Sequence, residues 1–355
     1  PPSGANVGQN RGIDGRISLE PENQFHQLSL TGAHLISGTT RFTGTASIGA
    51  MFQDESFLAD TINPLATPHT LPRDDLDGEV YLINALAAIS SRPLPGLNLK
   101  ASYRLQKRDD DTPRETYTYF TNDSANNPST ETSLGYNYEK QTMKLAAGYR
   151  LNRMARLSGE ISRETMEREP SEVEETTEDS GELKLRLSPR HDLQLTLSGG
   201  ASTRDGTSYI TNTNENPLLR KYNIADRDNT TGGIDISYQP TDQLSLGAII
   251  ELSEDDYDDT LVGLTSSDRT SVTIDASYQI MQGLYSHAYL GREIYESDQA
   301  GSQVPDSADW FVGYKDTIDS LGFGINWEKN SKLNLGLDYV YSHSRGEMDI
   351  NSLSL

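Results

Sequence analysis

The sequence predicts an all-β fold: a transmembrane, antiparallel, up-and-down β-barrel of the porin kind, with about fourteen strands in this chain. Three observations predict it. Apolar and polar residues alternate with period two in segments of about ten residues, the length a tilted membrane strand needs. Short connections of about four or five residues alternate with long ones of roughly fifteen to thirty-five, as periplasmic turns alternate with extracellular loops in outer-membrane barrels. Tyr149, Tyr238, Tyr278 and Trp327 fall on the apolar face close to short connections, and Tyr339 and Tyr341 lie near the other end of their strand. That is the pattern of two interfacial girdles.

Residues 1–24 are rich in Gly, Asn and Pro and carry little pattern. A weak first strand covers about Phe25–Ile36. The second is clear: Phe42, Gly44, Ala46, Ile48, Ala50 and Phe52 point one way, Thr43, Thr45 and Ser47 the other. A loop, about Gln53–Asp77, leads to a third segment, about Glu79–Ser90, that is apolar on both faces, so a buried helix competes with a strand there. After the turn Arg92–Gly96, Leu97, Leu99, Ala101, Tyr103 and Leu105 alternate with Asn98, Lys100, Ser102, Arg104, Gln106 and Arg108. A loop of about thirty residues precedes Met143, Leu145, Ala147 and Tyr149, answered after a turn by Ala155, Leu157, Gly159 and Ile161. An acidic loop is expected over Glu167–Asp179. The run from Asp179 to Gln239 then shows the repeating unit whole: strand, tight turn at Ser188–Asp192, strand, long loop Asn216–Asp228, strand. Leu244–Leu252 follow, then a loop expected over Glu254–Arg269. Val272–Tyr278 pair with about Leu284–Ile294, and a loop runs to about Thr317. Leu321–Trp327 and Leu333–Tyr341 form the last pair. A propeller blade has a similar repeat length, but its four strands are shorter than the two found here.

The net charge of −23 excludes the basic footprint that a nucleic-acid partner requires. No apolar run reaches the ~20 residues of a membrane helix, which leaves barrel strands as the means of crossing. The chain has no cysteine, so it holds no disulfide, no thiolate metal site and no thioether attachment for haem. Its start at Pro1 reads as that of a mature or truncated piece.

Catalytic constellations are not expected: no nucleophile elbow, P-loop or metalloprotease helix is present, and the six His are scattered without metal-ligand spacing. The carboxylates Asp255, Asp256, Asp258 and Asp259 form a weak Ca²⁺ candidate without EF-hand spacing, against the plainer reading of a solvated loop. The polar face says more. On the fourth to seventh strands it carries Lys100, Arg104, Arg108, Lys144, Arg150, Arg156, Lys184 and Arg186, and on later strands Asp235, Glu251, Asp275 and Asp338. A basic wall facing an acidic one would hold something anionic in the lumen; the plainer alternative is a lumen that is merely polar and mixed.

The loop Asn216–Asp228, reading N-P-L-L-R-K-Y-N-I-A-D-R-D, closely resembles a segment of the MtrB/PioB family of decahaem-associated outer-membrane proteins. So do Asp255–Thr265 (D-D-Y-D-D-T-L-V-G-L-T) and Glu296–Ser302 (E-S-D-Q-A-G-S), and Pro21–Leu30 and Lys144–Leu151 are similar. The likeness covers most of the chain in order. It implies that residues 1–355 are one outer-membrane barrel domain, incomplete at both ends, without the CxxC segment that some members carry. It further implies a non-enzymatic sheath in the outer membrane of a Gram-negative bacterium. Such a sheath surrounds a periplasmic multihaem c-type cytochrome and meets an outer-surface multihaem cytochrome, so that electrons cross to or from extracellular acceptors such as metal oxides. The haems are then the partners', with no cofactor in this chain. Leu218, Leu219, Arg220, Lys221, Tyr222, Asn223, Asp226, Arg227 and Asp228 are the expected partner-binding residues of the family-like loop, folding onto the barrel mouth or the enclosed cytochrome. A diffusion porin or solute transporter fits the strand pattern equally well, and a soluble propeller or adhesin-like protein less well.

Overall fold

A computed structural model describes residues 20–61, 67–120, 128–211, 215–257, 259–304, 307–330 and 332–352. The strands in chain order are β1 Gln24–Ser37, β2 Thr40–Gln53, β3 Gly78–Ser91, β4 Leu97–Asp110, β5 Thr116–Phe120, β6 Pro128–Thr132, β7 Asn137–Arg150, β8 Ala155–Glu169, β9 Glu175–Arg190, β10 Leu193–Gly206, β11 Leu219–Arg220, β12 Arg227–Thr241, β13 Leu244–Asp256, β14 Val262–Met281, β15 Leu284–Gly301, β16 Trp310–Asn330 and β17 Leu333–Ser352. All but β5, β6 and β11 form one continuous antiparallel meander from β1 to β17. The strands β5 and β6 make a separate hairpin, and β11 pairs with β14 in parallel. Glu79–Ser90 is a strand, since its neighbours on both sides supply ladder partners along its length. Among the described residues the outer edges of β1 and β17 have no strand partner.

Residues directly opposite each other across strands share a face. One row therefore runs Leu97, Tyr149, Leu157, Leu185, Leu197, Ile234, Ile250 and Val272, all apolar or aromatic. The adjacent row on the other face reads Arg150, Arg156, Arg186, Thr196 and Asp235. Glycines show which way the sheet curves. Side chains converge on a concave surface and splay on a convex one, so a glycine on the concave side lies under its neighbours. On the polar face a Cβ at Gly247 would overlap the Asp275 carboxylate, one at Gly322 the ring of Tyr289, and one at Gly324 both Asp338 and His287. On the apolar face Gly32 and Gly232 have nothing within 4 Å, and the nearest atom to a Cβ at Gly199 is 3.9 Å away. Gly159, where Leu183 leans over at 2.8 Å, Gly313, 3.2 Å from Asp298, and Gly44, 3.3 Å from the Phe42 ring, are the exceptions, each crowded by a side chain and not by backbone. The polar face is thus the concave one, and the exposed leucines and isoleucines line the convex side.

The strands run further than the sequence pattern predicts, and the connections are correspondingly shorter. The expected acidic loop Glu167–Asp179 is the paired ends of β8 and β9, joined through residues 170–174. The expected loop Glu254–Arg269 is mostly β13 and β14, leaving residues 257–261. The loop expected up to Thr317 shrinks to 302–309, and the loop after Arg108 contains the β5–β6 hairpin. The physical reason is solvation. Past the membrane both faces of a hairpin are wet, so alternation disappears while the backbone ladder continues. At 21 residues, β16 is about twice the span a bilayer requires. The sorting of connections into strictly short and strictly long ones therefore fails on the outer side.

Candidate interaction surfaces

The loop between β10 and β12 folds back over the polar face at the outer strand ends. Arg204 anchors it: its Nε donates to the Ala225 carbonyl at 2.8 Å and its Nη2 to the Tyr222 carbonyl at 2.6 Å. The Gly206 amide donates to Asp226 Oδ1 at 2.7 Å. Lys221 pairs with Glu172 and, at 3.0 Å, with Glu215; Arg227 reaches Glu178 at 2.9 Å and Asp255 at 3.5 Å. Arg220 lies over the Tyr209 ring, 4.5 Å from its centre. Val173, Ile224, Ala225, Tyr257, Val262, Ala300 and Val312 are buried in this region, and among the described residues they are all the buried apolar ones except Val80. A small core therefore sits above the apolar band. Of the nine residues expected to bind a partner, Leu218, Leu219, Arg220, Lys221 and Arg227 are half-buried within the cap, Asp228 accepts from Thr203 at 2.6 Å, and Tyr222, Asn223 and Asp226 stay exposed.

The two carboxylates beside Lys221, hydrogen-bonded to its ammonium, hold its pKa well above the ordinary lysine value. The folded value exceeds the unfolded one, so this anchor contributes fully below the ordinary lysine pKa and is lost only as pH rises through the raised one. Limited proteolysis of the loop is expected to give the same pattern at pH 6 and pH 9. A pattern that opens at pH 9 would remove Lys221 from the anchor.

All eight residues of the basic wall stand on the concave face. Lys144 pairs with Glu160 at 3.0 Å, Lys184 with Glu182 at 2.7 Å, and Arg108 with Asp110 at 3.0 Å. Lys100, Arg104, Arg150, Arg156 and Arg186 make no ion pair among the described residues. On the opposite wall Asp338 lies 3.3 Å from His287, and Glu251 lies 3.8 Å from Arg269.

The convex face carries the six aromatics expected to form the girdles. Tyr238, Tyr278 and Trp327 each stand three residues before the end of a strand that descends to a short turn, and Tyr149 stands one before. Tyr341 lies eight residues beyond the start of β17, with Tyr339 two residues nearer the turn. Two Arg–Asp pairs occupy the same level. Arg163 lies eight residues beyond the start of β8, and Arg292 eight beyond the start of β15. Each makes a two-bond fork with an aspartate across the ladder: Arg163 to Asp179 at 2.7 and 2.6 Å, Arg292 to Asp319 at 2.6 and 3.0 Å. From Trp327 to Asp319 is eight residues, about 27 Å along a strand. At the usual tilt that gives a band about 19–22 Å tall, against ≈ 25 Å for such barrels.

Residues 2–354 match the family described as "outer membrane beta-barrel porin, MtrB/PioB". The chain belongs to the MtrB/PioB family. It is 31% identical over 344 residues to the Outer membrane protein MtrB of Shewanella baltica (strain OS185), covering 95% of this chain and 48% of that protein. It therefore spans about half the length of that relative. Among solved structures the Copper transporter OprC aligns with a TM-score of 0.52 at 10% identity, over 88% of this chain and 59% of that one. That likeness concerns the fold alone, an outer-membrane β-barrel.

In this MtrB/PioB chain three of the five segments that carried the family resemblance meet in space. Gly263, within Asp255–Thr265, pairs with Arg220 of the loop on one side and with Ala300, within Glu296–Ser302, on the other. Sequence reasoning missed that convergence, because the partners are far apart in the chain. It also missed Arg163 and Arg292, which break the apolar alternation, and Glu160 and Glu182, whose place on the basic wall was legible from the i, i+2 spacing to Ser158 and Lys184. For the Ca²⁺ candidate, Asp258 lies outside the described residues. Asp255 is engaged by Asn229 and Arg227 on the concave side, whereas Asp256 points to the other face. Among the described residues no group of three or more His, Cys, Asp or Glu could hold a metal ion.

Removing one member of a rim pair is expected to cost more than removing both. Asp179→Ala leaves the Arg163 guanidinium without its acceptor at the lipid boundary, whereas Arg163→Leu with Asp179→Leu extends the apolar band. The temperature at which the barrel loses its folded gel mobility should fall for the single variant and recover for the double. Equal loss in both would show the pair to be an ordinary solvated contact.

Proposed function

We propose that this outer-membrane barrel protein is part of a sheath. It encloses a periplasmic multihaem c-type cytochrome, lets it meet an outer-surface multihaem cytochrome, and so supports electron transfer across the outer membrane to or from extracellular acceptors such as metal oxides. The observation that carries this reading is the concave wall: an acidic protein places unpaired cations on one sector of its lumen and carboxylates on another. The kinship with an Outer membrane protein MtrB supports it. The chain's role is structural, with its haems brought by the partners, because a chain without cysteine has no thioether anchor of its own. A large barrel that must be filled or plugged suits such a sheath.

Two measurements test it. Purification of the full-length protein in detergent should bring a c-type haem spectrum with it. Reversing Lys100, Arg104, Arg156 and Lys184 to Glu should strip the haem protein while the barrel stays in the outer membrane. Unchanged retention sinks the basic wall as a holding surface. An open conducting pore with no bound cytochrome favours the second reading, a diffusion porin or solute transporter.

A further inference from the structure

We infer that the turn-proximal end of the concave face is a docking site for a carboxylate-rich surface of the enclosed protein partner; this rests on the sheath reading above. Arg150, Arg156 and Arg186 stand abreast on β7, β8 and β9 as direct ladder partners. Like charges directly opposite across strands are destabilising, and no carboxylate of the described residues pairs with any of the three. Nearby glutamates do not relieve them: Glu160 is taken by Lys144 and Glu182 by Lys184. Beside the row lies a cavity of about 680 Å³ whose cationic lining includes Arg41, Arg92 and Lys100, none of which forms an ion pair among the described residues. The small residues Gly38, Ser90, Gly148 and Ser158 line it too, as do Glu160 and Glu182, the two carboxylates already paired with lysines. At Gly148 a Cβ would stand 3.3 Å from the Arg156 guanidinium, so the glycine leaves room for that group against the sheet.

Among the described residues no counter-charge pairs with the row, although the chain is strongly acidic. Three arginines on adjacent strands, about 4.8 Å apart, together with the cavity cations, cover a wider area than one small anion fills. The face is concave, turned away from the lipid-facing band, so lipid phosphates are the wrong source. An extended set of carboxylates on a folded partner matches both the breadth and the sign.

The test uses the assembled complex. Haem absorbance per barrel is followed through a salt titration for the wild type, for R150Q/R156Q/R186Q and for R150K/R156K/R186K. The glutamine variant should need less salt to lose its cytochrome and should retain it about tenfold less well at physiological salt, and the lysine variant should restore retention. Gel mobility of the folded barrel confirms that each variant assembles. Wild-type retention and salt response in the glutamine variant overturn the site alone. A wild type that holds no cytochrome overturns the sheath reading and the site with it. A cytochrome-free pore whose anion preference disappears in the glutamine variant assigns the row to a small solute and overturns the proposal.

Discussion

Gly263→Ala will release the outer loop from the sheet while the barrel stays in the membrane. Gly263 has φ +130, a conformation that L side chains rarely adopt, and a Cβ there would lie 2.5 Å from the Arg220 carbonyl oxygen and 3.2 Å from Thr260 Cγ2. The first obstacle is backbone and cannot rotate away. The strand β11 must move off β14, and with it goes the ladder contact that holds Leu219 and Arg220. Strain of this kind costs about 1–3 kcal/mol, comparable to the one or two charge-assisted hydrogen bonds with which Arg204 fastens the same loop. Trypsin should then cut after Arg220 or Lys221 at least tenfold faster than in the wild type, a factor worth about 1.4 kcal/mol. Gly232→Ala, with nothing within 4 Å, should leave the rate unchanged. Equal rates in all three proteins would mean that β11 does not hold the loop.

Valine at Gly247 or Gly322 should destabilise the barrel, whereas valine at Gly232 should be neutral or favourable. At Gly247 the new side chain meets the Asp275 carboxylate, and at Gly322 it displaces the Tyr289 ring, which covers that glycine as an aromatic lid. Overpacking of this sort costs about 1–3 kcal/mol. At Gly232 the same change adds a β-branched residue to an open convex surface, where strands favour it. Urea unfolding in detergent would read the difference. A valine at 232 that costs as much as one at 247 would mean that the curvature has been assigned to the wrong side.

The membrane-level half of the fold was legible in the sequence because lipid on one face and water on the other impose opposite chemistry on alternate residues. Leu145, Ala147 and Tyr149 against Lys144 and Gly148 state a strand outright. Above the lipid that contrast ends. Thr165 faces Thr177 and Glu164 faces Glu178 across a continuous ladder, yet nothing in either stretch distinguishes a strand from a polar loop. The basic wall was legible as a list of residues and illegible as a surface. Whether Arg156 neighbours Arg186 or Lys184 depends on register: a shift of two residues would set the paired Lys184 in place of Arg186, and a shift of one would set a leucine there. The cap was recognised through its likeness to a family, but its internal anchoring could not be foreseen: Arg204 lies at the end of a strand in a polar run, and only the folded loop brings the Tyr222 and Ala225 carbonyls to it.

The two forked Arg–Asp pairs at the lipid rim have a mechanical consequence. Each is too polar to sink into hydrocarbon, and the leucine rows beside it resist being lifted into water. One such peg fixes the height of a sheet. Two pegs at the same level, with four strands between their hairpins, also fix its tilt. A wall held at two points cannot rock in the bilayer, so a rigid body seated against it keeps a constant distance from each membrane surface.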